Sequence, residues 1–355
     1  MRSSSRKKFI NLFIAAWLAL FIGGFIWINR SIPEKPPPPG WQTWKKAGPV
    51  KALVLLNNGV MTGGTYGLFF ITEKGDINQI NIPSIPNPVM INALLMDRDS
   101  ILFVAHDQGL SIRDNKNHWE TLTQDSGLPG KMTLALTKTK NGEIWVGTNK
   151  GALKFSYHDR NNLTIVTILT SKEGLLHDFV NVILEDADSG IWFGNYAAPE
   201  GGLSRLKDGS WQYWTTEDNL PHPNITSLML DKKGRIWAGC GLLNRGGAAV
   251  FSNTTGFWRL ETTIPVEQLA GPKVRSLYQD SRDLIWMGSE YDGMTVMQGD
   301  KPLRILTIDD GLAGPEVMSI AEAEDGSMWF GTINGLNHID QNALYTLLPK
   351  LVNAR

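Results

Sequence analysis

Hydrophobic and polar positions divide the chain into two unlike parts. Residues Phe9–Ile28, FINLFIAAWLALFIGGFIWI, are apolar apart from Asn11. From residue 41 onward the apolar positions come in short stretches, each closed by a polar turn rich in Gly, Asp or Asn, such as DADSG, DKKG and EDGS. Short apolar runs bounded by such turns predict β-strands. No sustained helical period appears after residue 40, so the second part predicts an all-β domain.

The strands recur as one unit. Its marker is W-x-G, at Trp145, Trp192, Trp237, Trp286 and Trp329. Two weaker copies precede these, with Met61 and Phe103 in the Trp position. The seven markers are spaced 42, 42, 47, 45, 49 and 43 residues apart. Each unit reads as four strands: an apolar strand (FVNVILE), the W-x-G strand, a strand after a Gly-ended loop (GLNHI), and an aromatic strand (SWQYWTT). Four strands repeated at that period predict a seven-bladed β-propeller over residues 41–340. One sheet cannot bury both faces alone, so the repeated Trp residues are expected between neighbouring blades.

The last unit ends after its third strand, GLNHID, while GWQTW (40–44) repeats the fourth-strand segment SWQYW (210–214) at the other end of the chain. The N-terminal segment is therefore expected to complete the last blade and remove an open sheet edge. The competing arrangement uses ALYTLL (343–348) as that fourth strand.

The 20-residue apolar run has the length of a transmembrane helix at about 1.5 Å rise per residue. Arg2, Arg6, Lys7 and Lys8 precede it, which predicts residues 1–8 in the cytoplasm and the propeller outside, as a single-pass signal anchor. A cleaved signal peptide is the alternative, although no A-x-A site follows. Residues 29–40 contain PPPP and read as an extended linker. Residues 341–355 form a short tail.

The formal charge of −1 gives no basic surface for nucleic acid. A single cysteine, Cys240, excludes an intrachain disulfide. Six histidines (His106, His118, His158, His177, His222, His338) show no metal-ligand spacing, and no nucleophile or phosphate-loop motif is present. No cofactor or metal is expected. The acidic turns EDADSG, DSRD and DRDS lack the converging oxygen set of a calcium site and are expected to be structural.

The unit DGLAGPEVMSIAEAEDGSMWFGTINGLNHID (310–340) resembles the two-component regulator propeller repeat, with its DGL segment, V-x-x-I strand, W-x-G-T and Gly-Leu pair. The resemblance implies an extracytoplasmic sensor-type propeller. It extends loosely to propeller lyases that cleave cyclic antibiotics. Relatives often carry a histidine kinase after the propeller, and residues 341–355 are too short for one, so a separate signalling partner is expected.

Departures from a repeat are where a rigid scaffold varies its loops. Connections between second and third strands, and between one blade's fourth strand and the next blade's first, share one end of the ring, called the top. The expanded segments 195–202, 240–247, 289–293 and 262–273 all belong there. The candidate binding residues are Asn195, Tyr196, Glu200, Asn244, Arg245, Glu290, Tyr291 and Asp292, suited to a protein partner, a polar small molecule or a glycan. The expectation is a binding module without catalysis. The alternative is a lyase or hydrolase using His177, His222, Glu290 and Asp292, which requires a histidine hydrogen-bonded to a carboxylate at the top. With residues 41–44 as a closing strand, the chain is expected to enter the ring at the opposite end, the bottom.

Overall fold

The computed structural model describes residues 36–157, 159, 162–254 and 256–348. The segment read as a membrane span (9–28), most of the linker, and His158 lie outside the described residues. The chain divides into two compact units, Met1–Pro38 and Pro39–Arg355, and the account below concerns the second. Among the described residues no helix is long and apolar enough to cross a membrane.

The described residues form 28 strands in seven four-stranded antiparallel sheets. All seven markers, from Met61 to Trp329, fall on the second strand of their sheet. Each blade packs on the next through these side chains. Trp192 of blade 4 is fully buried against Ile225, Phe251 and Trp258 of blade 5. Trp237 packs with Ile285 and Met287 of blade 6, and Trp286 with Phe330 of blade 7. The glycine of W-x-G leaves room for the neighbouring backbone: a Cβ on Gly331 would lie 2.6 Å from the Val50 carbonyl oxygen across the seam between blades 7 and 1.

In each acidic turn one carboxylate is structural and uses both oxygens: Asp97, Asp186 and Asp280. Asp280 Oδ1 accepts the backbone N–H groups of Arg282 and Leu284, both at 2.9 Å. Its Oδ2 accepts Trp286 Nε1 and Arg282 Nε, both at 2.9 Å. Asp186 does the same with Trp192 and Arg205, and Asp231 with Trp237 and Arg235. One residue thus closes the turn and fixes the ring that fills the blade interface.

The DGL segment also has a physical reading. Thr307 and Asp310 form a reciprocal capping pair around a single 3-10 turn, Ile308–Asp310. Gly311 follows at φ 122°, and Leu312 is driven into the core between blades 6 and 7. The same arrangement recurs at Thr170–Leu175 and Thr215–Leu220.

Closure follows the sequence expectation. Trp41–Trp44 forms the outermost strand of blade 7, with Trp41 opposite Ile339 and Trp44 opposite Leu336. Trp44 stacks on Trp329 at 5.4 Å and 16°, as Trp214 stacks on Trp192 at 4.7 Å and 10°. The two aromatic segments match because both lay a Trp on the W-x-G Trp of their own blade. Residues 343–348 are not a strand. A helix, Gln341–Leu347, is capped by the Asp340 carboxylate and seats Leu344 beside Trp41. Asp340 N donates to the Gly40 carbonyl at 2.9 Å, so residue 40 enters at the end remote from the 332–335 turn, which is the bottom.

Candidate functional site

The top of the ring is built on one repeated irregularity. In blades 2 to 7 the first strand carries a bulge after its first paired residue, at Asn92, Leu134, Asn181, Thr226, Arg275 and Met318. Lys51 holds the corresponding place in blade 1. An unpaired bulge residue is re-aimed out of the pleat. Here five of these seven side chains bond to the next blade around the channel. Lys51 Nζ donates to Asn92 Oδ1 at 2.7 Å, and Asn92 Nδ2 to the Thr133 carbonyl at 2.9 Å. Asn181 Nδ2 reaches the Ile225 carbonyl at 3.0 Å, and the Thr226 hydroxyl the Val274 carbonyl. Arg275 Nε pairs with Glu316 Oε1 at 2.7 Å.

Charge is unevenly placed on this ring. Lys51, Arg275 and Glu316 fall on the consecutive blades 1, 6 and 7, and Lys273 and Glu290 lie beside them. Lys273 is almost fully buried, pairs with Glu290 at 2.9 Å and lies 5.3 Å over the Tyr196 ring. Its ammonium also donates to the Tyr196 hydroxyl at 3.3 Å, joining blade 6 to blade 4 across blade 5. Burial, reinforced by Arg275, pushes Lys51 down to about 8, while Glu316 raises it. Burial also raises Glu316, against the pull of Arg275.

The sequence-chosen residues divide. Tyr196 and Glu290 belong to this cluster. Glu200, Asn244, Arg245, Tyr291 and Asp292 are exposed at the top. Asn195 is not a loop residue: it ends the strand Ile191–Asn195, is fully buried, and donates through Nδ2 to the His177 and Phe179 carbonyls. Nor is 240–247 an expanded loop, because Ile236–Leu242 and Arg245–Thr254 pair through it as a longer hairpin. Lys51, Arg275, Lys273 and Glu316 were absent from the sequence selection. Their signal was a charge at a first-strand position that is neutral in most other units.

The histidines have other uses. His177 and His222 occupy matching turns, and each accepts a backbone N–H at Nδ1, from Phe179 at 2.9 Å and Asn224 at 3.0 Å. His106 bonds Ser111 at 2.8 Å, and burial pushes it down to about 4. His338 lies on Trp329. Among the described residues the histidine–carboxylate hydrogen bond is His118–Asp114, at a bottom turn. No cluster of three or more metal-ligating side chains occurs among the described residues.

Exposed apolar side chains lie both on the outer strands, as at Ile165, Val166, Tyr213 and Ile305, and at the top. Tyr66, Met90, Met132, Leu243 and Tyr291 are 55%, 39%, 36%, 63% and 55% exposed, and all lie on connections at that end. At the bottom, a groove of about 300 Å³ lies between blades 3 and 4. Two of its three lysines are already engaged, Lys154 with Glu143 and Lys140 with the Asp186 and Ala187 carbonyls.

Comparisons with known proteins agree with this architecture. Residues 219–241 and 311–334 match the family described as two component regulator propeller. No curated protein matches the sequence. Among solved structures, the chain is similar to the extracellular domain assigned to a hybrid two component system of B. thetaiotaomicron, at 18% identity and TM-score 0.73, covering 88% of this chain and 42% of that one. A second such domain from B. thetaiotaomicron matches at 18% identity and TM-score 0.64, covering 83% and 38%. A catalytically inactive virginiamycin B lyase of Staphylococcus aureus, solved with quinupristin, matches at 12% identity and TM-score 0.61, covering 84% and 98%. The chain spans about two fifths of the two sensor-system domains, and at these identities the likeness is one of fold. Two segments of the chain thus match the two-component regulator propeller repeat, within a closed ring of seven blades.

Proposed function

We propose that this chain is an extracytoplasmic binding module of a signalling system. In this reading residues 9–28 anchor it to the membrane, and the top of the propeller engages a polar ligand or a protein partner. The observation that carries the reading is the charged arc at the top, which has exposed Tyr66, Met90, Met132, Leu243 and Tyr291 on the connections at the same end. Exposed aromatic and apolar groups around a polar centre are the composition of a recognition surface. The repeat family and the sensor-system domains with the same fold support a sensing role, and entry of the chain at the bottom leaves the top free. No catalytic step is assigned in this reading, because His177 and His222 spend Nδ1 on backbone turns and neither bonds a carboxylate among the described residues.

Site-specific photocrosslinking in cells tests it. A photoreactive residue at Tyr291 or Arg245 should give a discrete adduct with a partner or ligand, whereas one at Phe257, at a bottom turn, should not. Adducts from Phe257 alone, or equal adducts from both ends, would reject the top as the working face.

A further inference from the structure

We propose that the channel mouth between blades 6, 7 and 1 recognises a carboxylate carried on an apolar body, with Lys51 and Arg275 holding the carboxylate oxygens. This deepens the binding-module reading and rests on it. The first argument is chemical economy. At the corresponding places in other blades, Asn92, Asn181 and Thr226 link neighbouring blades with neutral groups. A lysine makes the same link at Asn92 while placing an ammonium in a partly desolvated site, which is the more costly choice. That choice has a use if a ligand supplies the missing counter-charge.

The second argument is the charge count. Lys51, Arg275 and Lys273 stand against Glu316 and Glu290, leaving one positive charge in excess. Glu316 is taken by Arg275 and Glu290 by Lys273. Lys51 makes no ion pair among the described residues; its ammonium bonds the Asn92 amide oxygen and lies 3.7 Å from the Met90 sulfur. An ammonium has three donors, and thioether sulfur is a weak acceptor. The Arg275 guanidinium is engaged through Nε, and its terminal nitrogens carry no hydrogen bond among the described residues. A guanidinium fork and an ammonium, held at equivalent bulge positions on either side of blade 7, are suited to a planar carboxylate.

The third argument concerns the surroundings. Met90 and Met132 stand exposed on the rim of blades 2 and 3, and Leu134 and Met318 hold the two bulge positions that make no polar link. Methionine adapts its shape to an apolar guest. The cationic arc therefore borders an apolar one, and the ligand that fits both has an anionic head and a hydrocarbon or aromatic body.

Lysine footprinting of the full chain tests this. Lysines are acetylated at pH 8 with an N-hydroxysuccinimide ester, and the rates at Lys51 and at surface Lys74 are read by mass spectrometry. 4-Phenylbutyrate, acetate and inorganic phosphate are compared at equal ionic strength. At about twice its dissociation constant a site-bound ligand slows Lys51 acetylation about threefold. We expect that slowing with 4-phenylbutyrate, with Lys74 unaffected, a weaker effect of acetate, and loss of protection in Arg275→Gln. An unchanged Lys51 rate, equal slowing at Lys74, or protection by phosphate alone would overturn the assignment. None of these outcomes alters the crosslinking test at Tyr291, so failure here is separable from failure of the binding-module reading.

Discussion

Replacing Lys51 by methionine gives a measurement whose sign and pH window are both set by the site. The folded chain lowers this lysine from 10.5 to about 8, chiefly through burial and then through Arg275. Each unit is worth about 1.4 kcal/mol, so holding the ammonium charged in the fold costs on the order of 3 kcal/mol. Between the two values the unfolded chain keeps the proton that the folded chain has released. Wild-type stability therefore rises with pH across that window. The cost is complete below about pH 8 and gone above about pH 10.5. Methionine has nothing to titrate, so Lys51→Met should be the more stable form near neutrality by roughly 1–3 kcal/mol, after the lost bond to Asn92 is counted. Its advantage should shrink by about 3 kcal/mol as pH rises through the window. Urea midpoints of both proteins at successive pH values measure this, and all other titrating groups cancel in the difference. A difference that stays constant from neutrality to the alkaline end would refute the reasoning, whatever its size.

Other consequences can be checked in the same way. Asp280→Ala strands the Trp286 indole N–H, the Arg282 Nε–H and two turn N–H groups, while Arg282 keeps Gly326 and Glu322, and should cost about 3 kcal/mol by denaturant titration, whereas exposed Glu200→Ala should change stability by less than about 0.5 kcal/mol. Trp44→Ala removes the ring stacked on Trp329 and should lower stability by about 2 kcal/mol or more, with a lower thermal midpoint and faster aggregation; an unchanged midpoint would mean the seam carries no load. Cys240 is buried with its thiol pushed up to about 12, so a disulfide reagent at pH 8 should leave the native protein unlabelled and modify it fully in urea. With the photoreactive residue placed at Leu243 instead, Arg245→Glu with Tyr291→Ala should abolish the crosslinked partner while leaving the thermal midpoint in place, since both side chains are exposed.

The ring was legible in the sequence because its stability depends on repetition. Each blade uses a large residue at the marker, a polar turn residue, and a small residue where the neighbour approaches (glycine in six blades, Ala105 in blade 2), so the period is written into residue identity. The closing strand was legible for the same reason, as Trp41 and Trp44 repeat Trp211 and Trp214 in kind and spacing. The site was harder to see. Comparing units drew attention to inserted segments, of which 240–247 proved to be a paired hairpin, while 195–202 is a loop whose first residue, Asn195, is a buried strand-end strut. Lys51, Arg275 and Glu316 sit inside segments of normal length. Their convergence comes from closing the ring, which sets blade 1 beside blade 7. No distance along the chain reports that neighbourhood.

The seam has a mechanical consequence. Trp41 to Trp44 lie antiparallel to Ile339 to Leu336, with the chain arriving at the Trp41 end. Tension applied to residue 40 along the strand axis loads all four residue pairs, the Trp44–Trp329 stack and the Thr43–Asn337 bond in shear, so they must yield together. A sideways tug would peel them one at a time, beginning at Trp41. A propeller tethered through residue 40 and pulled along that axis would hold its circle shut at forces that would unzip it from the side.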